Sequence, residues 1–346
     1  MRYFSIIKSA LLLSLLFLTT SCKQQDDVVV LRMGHTLDME HSVHKAMVHM
    51  ADKLREYSNG TMEIKIYPNA QLGTEREMVE LLQIGSLAMT KVSAAAIEGF
   101  VPDMKVYSVP YLFQSREHRW NVLQGPVGQQ LLDSTRKARF VGLGYYDSGS
   151  RSFYMTKTKV EQPKDLSGQK IRVMESQMAV KMIDAFGGAA TPISFGELYA
   201  ALQQGVVDGA ENNPPSFYLS RHYEICKYYV LNEHTSIPDV ILGSAHIYDG
   251  LNEEQQGWLK QAIEDSIELQ KQLWLAGELE ALAEVEKAGV QVIYPDKTPF
   301  LQAVKPFHKS FDGTLIGDYL ADISKLAETQ SNLDSTSSIQ QAKVQP

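Results

Sequence analysis

The chain has 346 residues, 44% of them hydrophobic and 21% charged, and a formal net charge of −8. That is more than one hydrophobic core usually serves, so two domains are expected. The acidic balance argues against nucleic acid as a partner, although a local group of arginines in a cleft can still dominate the field around a small anion.

Residues 1–22 read as a secretory leader. Arg2 and Lys8 give a positive start, and Ala10 to Leu18 form an apolar run too short to span a bilayer. Leu18-Thr19-Thr20-Ser21-Cys22 resembles a bacterial lipobox with its Leu one place early, which would make Cys22 the lipidated first residue of the mature chain. An ordinary signal peptide cut nearby is the alternative. Residues 23–27 read as a polar tether, and no later stretch is long and apolar enough to cross a membrane.

Strand and helix signals then alternate. Val28 to Gly34 reads as a strand, Ser42 to Tyr57 as an amphipathic helix closed by Asn59-Gly60, and Met62 to Tyr67 as a strand stopped by Pro68. Glu75 to Ile84 is a helix ended by Gly85, and Ala88 to Val92 a strand. This order predicts a largely parallel sheet with helices on both faces. The pattern resumes with strands at Phe140 to Tyr146, Phe153 to Thr156 and Lys170 to Met174. Helices follow at Ser176 to Phe186 and Glu197 to Gln204, and Val206 to Ala210 leads into a Glu-Asn-Asn-Pro-Pro turn. From Asn252, a candidate N-cap, to Lys287 there is no proline, and apolar residues recur at helical spacing. One helix there would span roughly 50 Å and could brace two domains; two helices broken near Gly277 are the alternative. The Gln-, Ser-, Asn- and Asp-rich composition after Lys325 predicts a disordered tail over 329–346. Cys226 is the one thiol outside the leader, so no internal disulfide can form in the mature chain; its apolar setting suggests a buried, inert side chain.

The chemistry concentrates between Phe140 and Pro215. Arg151 and Arg172 each adjoin a strand-like segment and precede Asn212 and Asn213. An arginine on a rigid strand can present a planar fork to a carboxylate, so two forks and an amide suggest a pocket for a small organic acid; surface or interdomain ion pairing is the ordinary role of an arginine. Enzyme signatures are weak. His41 and His44 could share a metal, but there is no His-Glu-x-x-His pattern, and a solvated helix face is the simpler reading for these histidines. The sequence has no Gly-x-Ser-x-Gly elbow and no Walker loop, and Gly142-Leu143-Gly144 lacks the third glycine of a dinucleotide loop. A periplasmic acid-processing enzyme with Glu75 or Asp147 as base is the competing class.

Several segments, in register, resemble the solute-binding proteins of TRAP transporters, tripartite uptake systems for organic acids. They are Leu31-Arg32-Met33-Gly34-His35, Tyr67-Pro68-Asn69-Ala70-Gln71-Leu72-Gly73, Pro110-Tyr111-Leu112-Phe113, Gly168 to Val173, Pro192 to Tyr199 and Gln203 to Gly209. The resemblance implies a two-lobed α/β periplasmic-binding-protein-like fold with mixed sheets, hinge strands and a long helix bridging both lobes. One lobe would be 28–148 plus 237–276, the other 149–236 plus 277–328. It further implies a periplasmic monomer with no cofactor and no catalysis that passes its ligand to membrane permease subunits; the lipobox-like segment would add a lipid anchor at Cys22. Carried over residue by residue, Arg172 resembles the family's carboxylate clamp, Arg151 a second donor, and Phe195 an aromatic covering the ligand's apolar side. Asn212 resembles an amide donor, although this chain reads Asn212-Asn213-Pro214 where the family has a single asparagine before proline, so Asn213 stays a candidate.

His35, Glu75, Ser93, Asp147 and Glu175 are candidates for the rest of the pocket. Carboxylates beside an anionic ligand repel a second carboxylate and accept hydrogen bonds from hydroxyls, so this mixture favours a hydroxylated monocarboxylate. The Glu-Asn-Asn-Pro turn and the Tyr-Tyr-Asp-Ser-Gly-Ser-Arg segment are similar to family members that take uronic or aldonic acids, which implies a uronate or other sugar acid. A C4-dicarboxylate or keto acid is the alternative.

Overall fold

The computed structural model describes residues 28–342. In chain order the strands and α-helices are β1 (Val29–Gly34), α1 (Ser42–Tyr57), β2 (Met62–Tyr67), α2 (Glu75–Gln83), β3 (Met89–Ser93), α3 (Arg116–Gln124), α4 (Pro126–Ser134) and β4 (Phe140–Tyr146). Then come β5 (Arg151–Met155), β6 (Lys170–Val173), α5 (Gln177–Phe186), β7 (Ala189–Pro192), α6 (Leu198–Gln203), β8 (Gly209–Asn212), α7 (Pro214–Leu219) and β9 (Tyr228–Thr235). The chain finishes with β10 (Asp239–Ser244), α8 (Ala245–Tyr248), α9 (Glu253–Lys287), β11 (Gln291–Ile293), α10 (Thr298–Ala303), α11 (Lys305–Lys309) and α12 (Leu315–Ala342).

Two mixed sheets define two lobes. The first has the order β2-β1-β3-β10-β4, the second β11-β9-β5-β8-β6-β7. The first is less parallel than the alternation of elements predicts, because β10 enters antiparallel to both β3 and β4. Strand parity puts apolar side chains on both faces. Ile171, Val173 and Phe153 join one core of the second lobe, while Tyr154, Ala210 and Tyr229 join the other. Cys226 belongs to that second core and is fully buried, which pushes its thiol pKa up and leaves it inert.

Four connections cross between the lobes, the last being residues 310–314, which lead from α11 on the second lobe to α12 on the first. Residues 147–150 link β4 to β5, and 236–238 link β9 to β10. These two crossings are stitched together by Ser150 Oγ and Ser236 Oγ at 2.9 Å and by the Ser148 hydroxyl donating to the Ile237 carbonyl. The third is α9. It opens on a capping box, with Gln255 N–H donating to Asn252 Oδ1 at 2.9 Å and Asn252 N–H to Gln255 Oε1 at 3.0 Å. It then runs 35 residues without a break at Gly277. Leu259, Ile263 and Trp274 pack on the first lobe, and Val285, nearer the helix's C-terminal end, packs in the second. Gln270 fastens it to the crossing by accepting from Asp147 N–H and donating to Asp147 O, both at 2.8 Å.

The C-terminal end differs from expectation in two ways. Tyr319 and Ile323 of α12 pack into a core of the first lobe, so 315–328 do not stay with the second. The helix also continues to Ala342, past the start of the predicted disordered tail, and no proline interrupts it. Among the described residues, no helix is long and apolar enough to cross a membrane. The leader, Cys22 and the tether lie outside the described residues.

Candidate functional site

A cleft of about 580 Å³ lies between the lobes, within the roughly 300–1,000 Å³ usual for small-molecule sites. Eight of the ten residues singled out from the sequence line it: Arg172, Arg151, Asn212, Asn213, Phe195, Glu75, Ser93 and Glu175.

Arg172 sits mid-strand in β6, where its neighbours Ile171 and Val173 point into a core and it points the other way. The residue is 2% exposed. Nε donates to the Ile193 carbonyl at 2.8 Å, and Nη1 is buried with no partner. Burial, with Arg151 adding to it, lowers its pKa from the usual arginine value. A buried cation holding free N–H groups at a cleft wall is a ready anion site.

Arg151 is different. Nε and Nη2 grip both carboxylate oxygens of Glu211, Nη2 also donates to the Glu211 carbonyl at 2.8 Å, and Nη1 donates to Asn212 Oδ1 at 2.8 Å. Four of its five N–H groups are therefore occupied within the protein, and one remains for a ligand. Glu211 is completely buried, yet Arg151 and His234 together outweigh that burial and hold its pKa down at about 2.

The two asparagines separate cleanly. Asn212 Oδ1 accepts from Arg151 Nη1 and from Asn213 N–H at 2.9 Å, which leaves its amide NH₂ to donate into the cleft. Asn213 is the N-cap of α7, its Oδ1 accepting from Ser216 N–H at 2.9 Å. Phe195 packs edge-on to His222, 5.9 Å between ring centroids, and touches core residues of both lobes.

Two sequence candidates fall outside the cleft wall. His35 is fully buried in the turn after β1, bonded through Nε2 to His44 Nδ1 at 2.9 Å. Its pKa is lowered to about 3, first by burial and then by the charge of Lys91. Asp147 is consumed by the crossing: Arg116 and Arg119 hold its carboxylate at 2.9 and 2.6 Å, and Gly149 N–H donates to it at 2.9 Å. The histidine-rich segment is not a solvated face either, because His41 is 2% and His44 8% exposed. Among the described residues no group of three or more His, Cys, Asp or Glu side chains could hold a metal.

Lys91, Asp239, His41 and Trp274 also line the cleft; of these the sequence marked only His41, and as a metal candidate with His44, not as a pocket residue. Lys91 is 3% exposed and lies 2.9 Å from Asp239 and 3.6 Å from Glu75. The two carboxylates hold its pKa above the usual lysine value against the opposing effect of burial. Glu75, the first residue of α2, also accepts from Ser93 N–H at 3.2 Å. Burial raises the Glu75 pKa, with Lys91 opposing. A lysine in the short strand Met89-Thr90-Lys91-Val92-Ser93, predicted to lie inside a sheet covered on both faces, was the available signal, since a buried lysine needs a partner.

Two lobes, paired crossings, a bracing helix and a cleft with an unpaired guanidinium define an extracytoplasmic solute-binding protein that takes an anion. The chain belongs to bacterial extracellular solute-binding protein family 7, the DctP family, whose model matches residues 33–314; it is a TRAP-type periplasmic binding protein. It is 39% identical over 282 residues to YiiZ of Salmonella typhimurium, covering 81% of this chain and 86% of that one. A TRAP periplasmic solute-binding protein from Xanthobacter autotrophicus, solved with bound β-D-galacturonate, superposes with a TM-score of 0.82 at 38% identity, covering 85% of this chain and 98% of that one. One from Anaerococcus prevotii, solved with bound D-glucuronate, gives 0.85 at 34% identity over 87% and 99%.

Proposed function

We propose that this protein captures a sugar acid, foremost a hexuronate of the galacturonate or glucuronate kind, and delivers it to a TRAP membrane permease. The observation that carries the reading is the contrast between the two cleft walls. The second lobe offers one unpaired guanidinium, Arg172, while the buried cation on the first lobe's cleft wall, Lys91, is already neutralised by Asp239 and Glu75. One carboxylate is thus gripped at one end, and hydroxyls meet donors and acceptors at the other. A C4-dicarboxylate needs a second free cation deep in the cleft, and Lys91 is not one. The uronates bound by the two solved relatives support the same choice. Arg172 clamps the carboxylate, Asn212 and the last N–H of Arg151 assist, and Phe195 covers the apolar face. Binding closes 28–148 plus 237–276, with α12, against 149–236 plus 277–309, because contacts to both walls exist only when the lobes meet.

A thermal-shift screen of uronates, aldonates including D-erythronate, keto acids and C4-dicarboxylates tests this. Uronates should raise the melting temperature most; a larger shift with succinate or malate overturns it. The ligand should come back unaltered by NMR after prolonged incubation, and appearance of product would instead establish an enzyme. A lipid anchor on Cys22 is read by mass spectrometry of the mature N-terminus.

A further inference from the structure

We propose that His41 is a specificity-determining residue of the cleft, whose buried Nε2–H donates to a hydroxyl or ring oxygen of the sugar acid held by Arg172. This rests on the sugar-acid reading above and names a contact that reading leaves open.

His41 stands at the N-cap of α1, where its Nδ1 accepts from Val43 N–H at 3.2 Å. A ring nitrogen that accepts carries no proton, so the neutral imidazole bears its hydrogen on Nε2. The ring does stay neutral: burial first, then the charge of Lys91, holds its pKa at about 3. The side chain is 2% exposed, lines the cleft, and its Nε2 is buried with no partner in the protein. The neighbouring histidines do not use it, since His35 Nε2 bonds His44 Nδ1. Trp274, another residue of the cleft wall, packs against the ring at 5.7 Å between centroids and a tilt of 56°, so cap and indole fix its direction.

A buried N–H without an acceptor is destabilising, and such groups in native proteins have a reason. A ligand oxygen supplies it. The donor is uncharged, so it suits a hydroxyl or ring oxygen and does little to neutralise a second carboxylate. With Lys91 held by Asp239 and Glu75, this end of the cleft therefore favours a uronate over the aldarate that carries a carboxylate at both ends. A site built to donate to a substrate oxygen discriminates strongly against analogues that lack it.

The test uses His41→Asn, which keeps a side-chain oxygen to cap α1 and removes the Nε2 donor. Calorimetry should show D-glucuronate and D-galacturonate bound about tenfold or more weakly, with the ligand-free melting temperature kept. In the unmutated protein, ¹⁵N spectra should show His41 protonated on Nε2, and that proton's resonance should move when uronate saturates the site. Wild-type affinity in the variant, or an unmoved Nε2–H resonance at saturation, overturns the assignment. If the unmutated protein binds no sugar acid, the sugar-acid reading falls and this assignment falls with it, an outcome seen before any variant is made.

Discussion

Arg172 and Arg151 lie on strands separated only by β8, and they differ in what their forks still have to offer. Replacing Arg172 with Ala should weaken uronate binding at least 100-fold, since a desolvated charge-assisted pair is worth about 3–5 kcal/mol when one partner is removed. Ligand-free stability should not fall, because the substitution removes a buried cation that lacks a counterion. Arg172→Lys should restore little, the ammonium having no planar fork; unchanged affinity in either variant would end the clamp assignment. The asparagines give a second, paired expectation. Asn212→Ala should weaken binding more than Asn213→Ala, whereas Asn213→Ala should cost about 1 kcal/mol of stability through the lost cap of α7. Calorimetry and thermal melts of the two variants check both halves, and the reverse order would place Asn213 on the ligand. The position of Arg172, Asn212 and Phe195 on the cleft wall was legible in the sequence because short motifs carry them. His35 and Asp147 misled because nearness to a cleft loop does not fix where a side chain turns. His35 is captured by His44, and Asp147 by two arginines that α3 brings from about thirty residues away. Lys91 and Asp239 escaped notice, and His41 was weighed only as a metal ligand, for a related reason: their places in the cleft exist only once β10 lies beside β3 and α1 covers the sheet.

At the scale of elements, the most local signals were read well. The apolar face of α1, with Val43, Ala46, Met47, Met50 and Leu54 buried, follows the 3.6-residue period, and the strands around it fall within a residue or two of their predicted ends. What the pattern could not show was non-local: the antiparallel insertion of β10, and the return of α12 to the first lobe, both set by tertiary packing. The pattern also left the continuity of α9 open. The structure carries the helix through Gly277, and a Cβ there would meet nothing within 4 Å. Gly277→Ala should therefore stabilise the protein by about 0.5–1 kcal/mol, the usual gain at a helix interior, and leave uronate affinity unchanged. A stabilised variant with weaker binding would show that α9 bends at Gly277 when the lobes close.

Across the whole molecule, affinity depends on how the lobes meet as well as on the cleft itself, because a ligand that needs the closed form binds in proportion to that form's population. Several closing contacts lie away from the ligand. Glu98, on the first lobe and 3% exposed, accepts from Met178 N–H at 3.2 Å at the N-terminus of α5 on the second lobe. Burial raises its carboxyl pKa, and the N–H groups of Met178 and Gln177 together with Ser176 oppose that rise. A carboxylate there completes the first turn of α5 and meets the positive end of its dipole, worth roughly 0.3–2 kcal/mol. This contact joins opposite lobes, so it is lost when they part. Glu98→Ala should thus weaken uronate binding about three- to tenfold without touching the ligand. The same variant should expand the ligand-free protein in small-angle X-ray scattering, and saturating uronate should compact it again. Affinity and scattering both equal to wild type would mean that Glu98 serves the packing of its own lobe and that closure is governed by the cleft and the interlobe crossings alone.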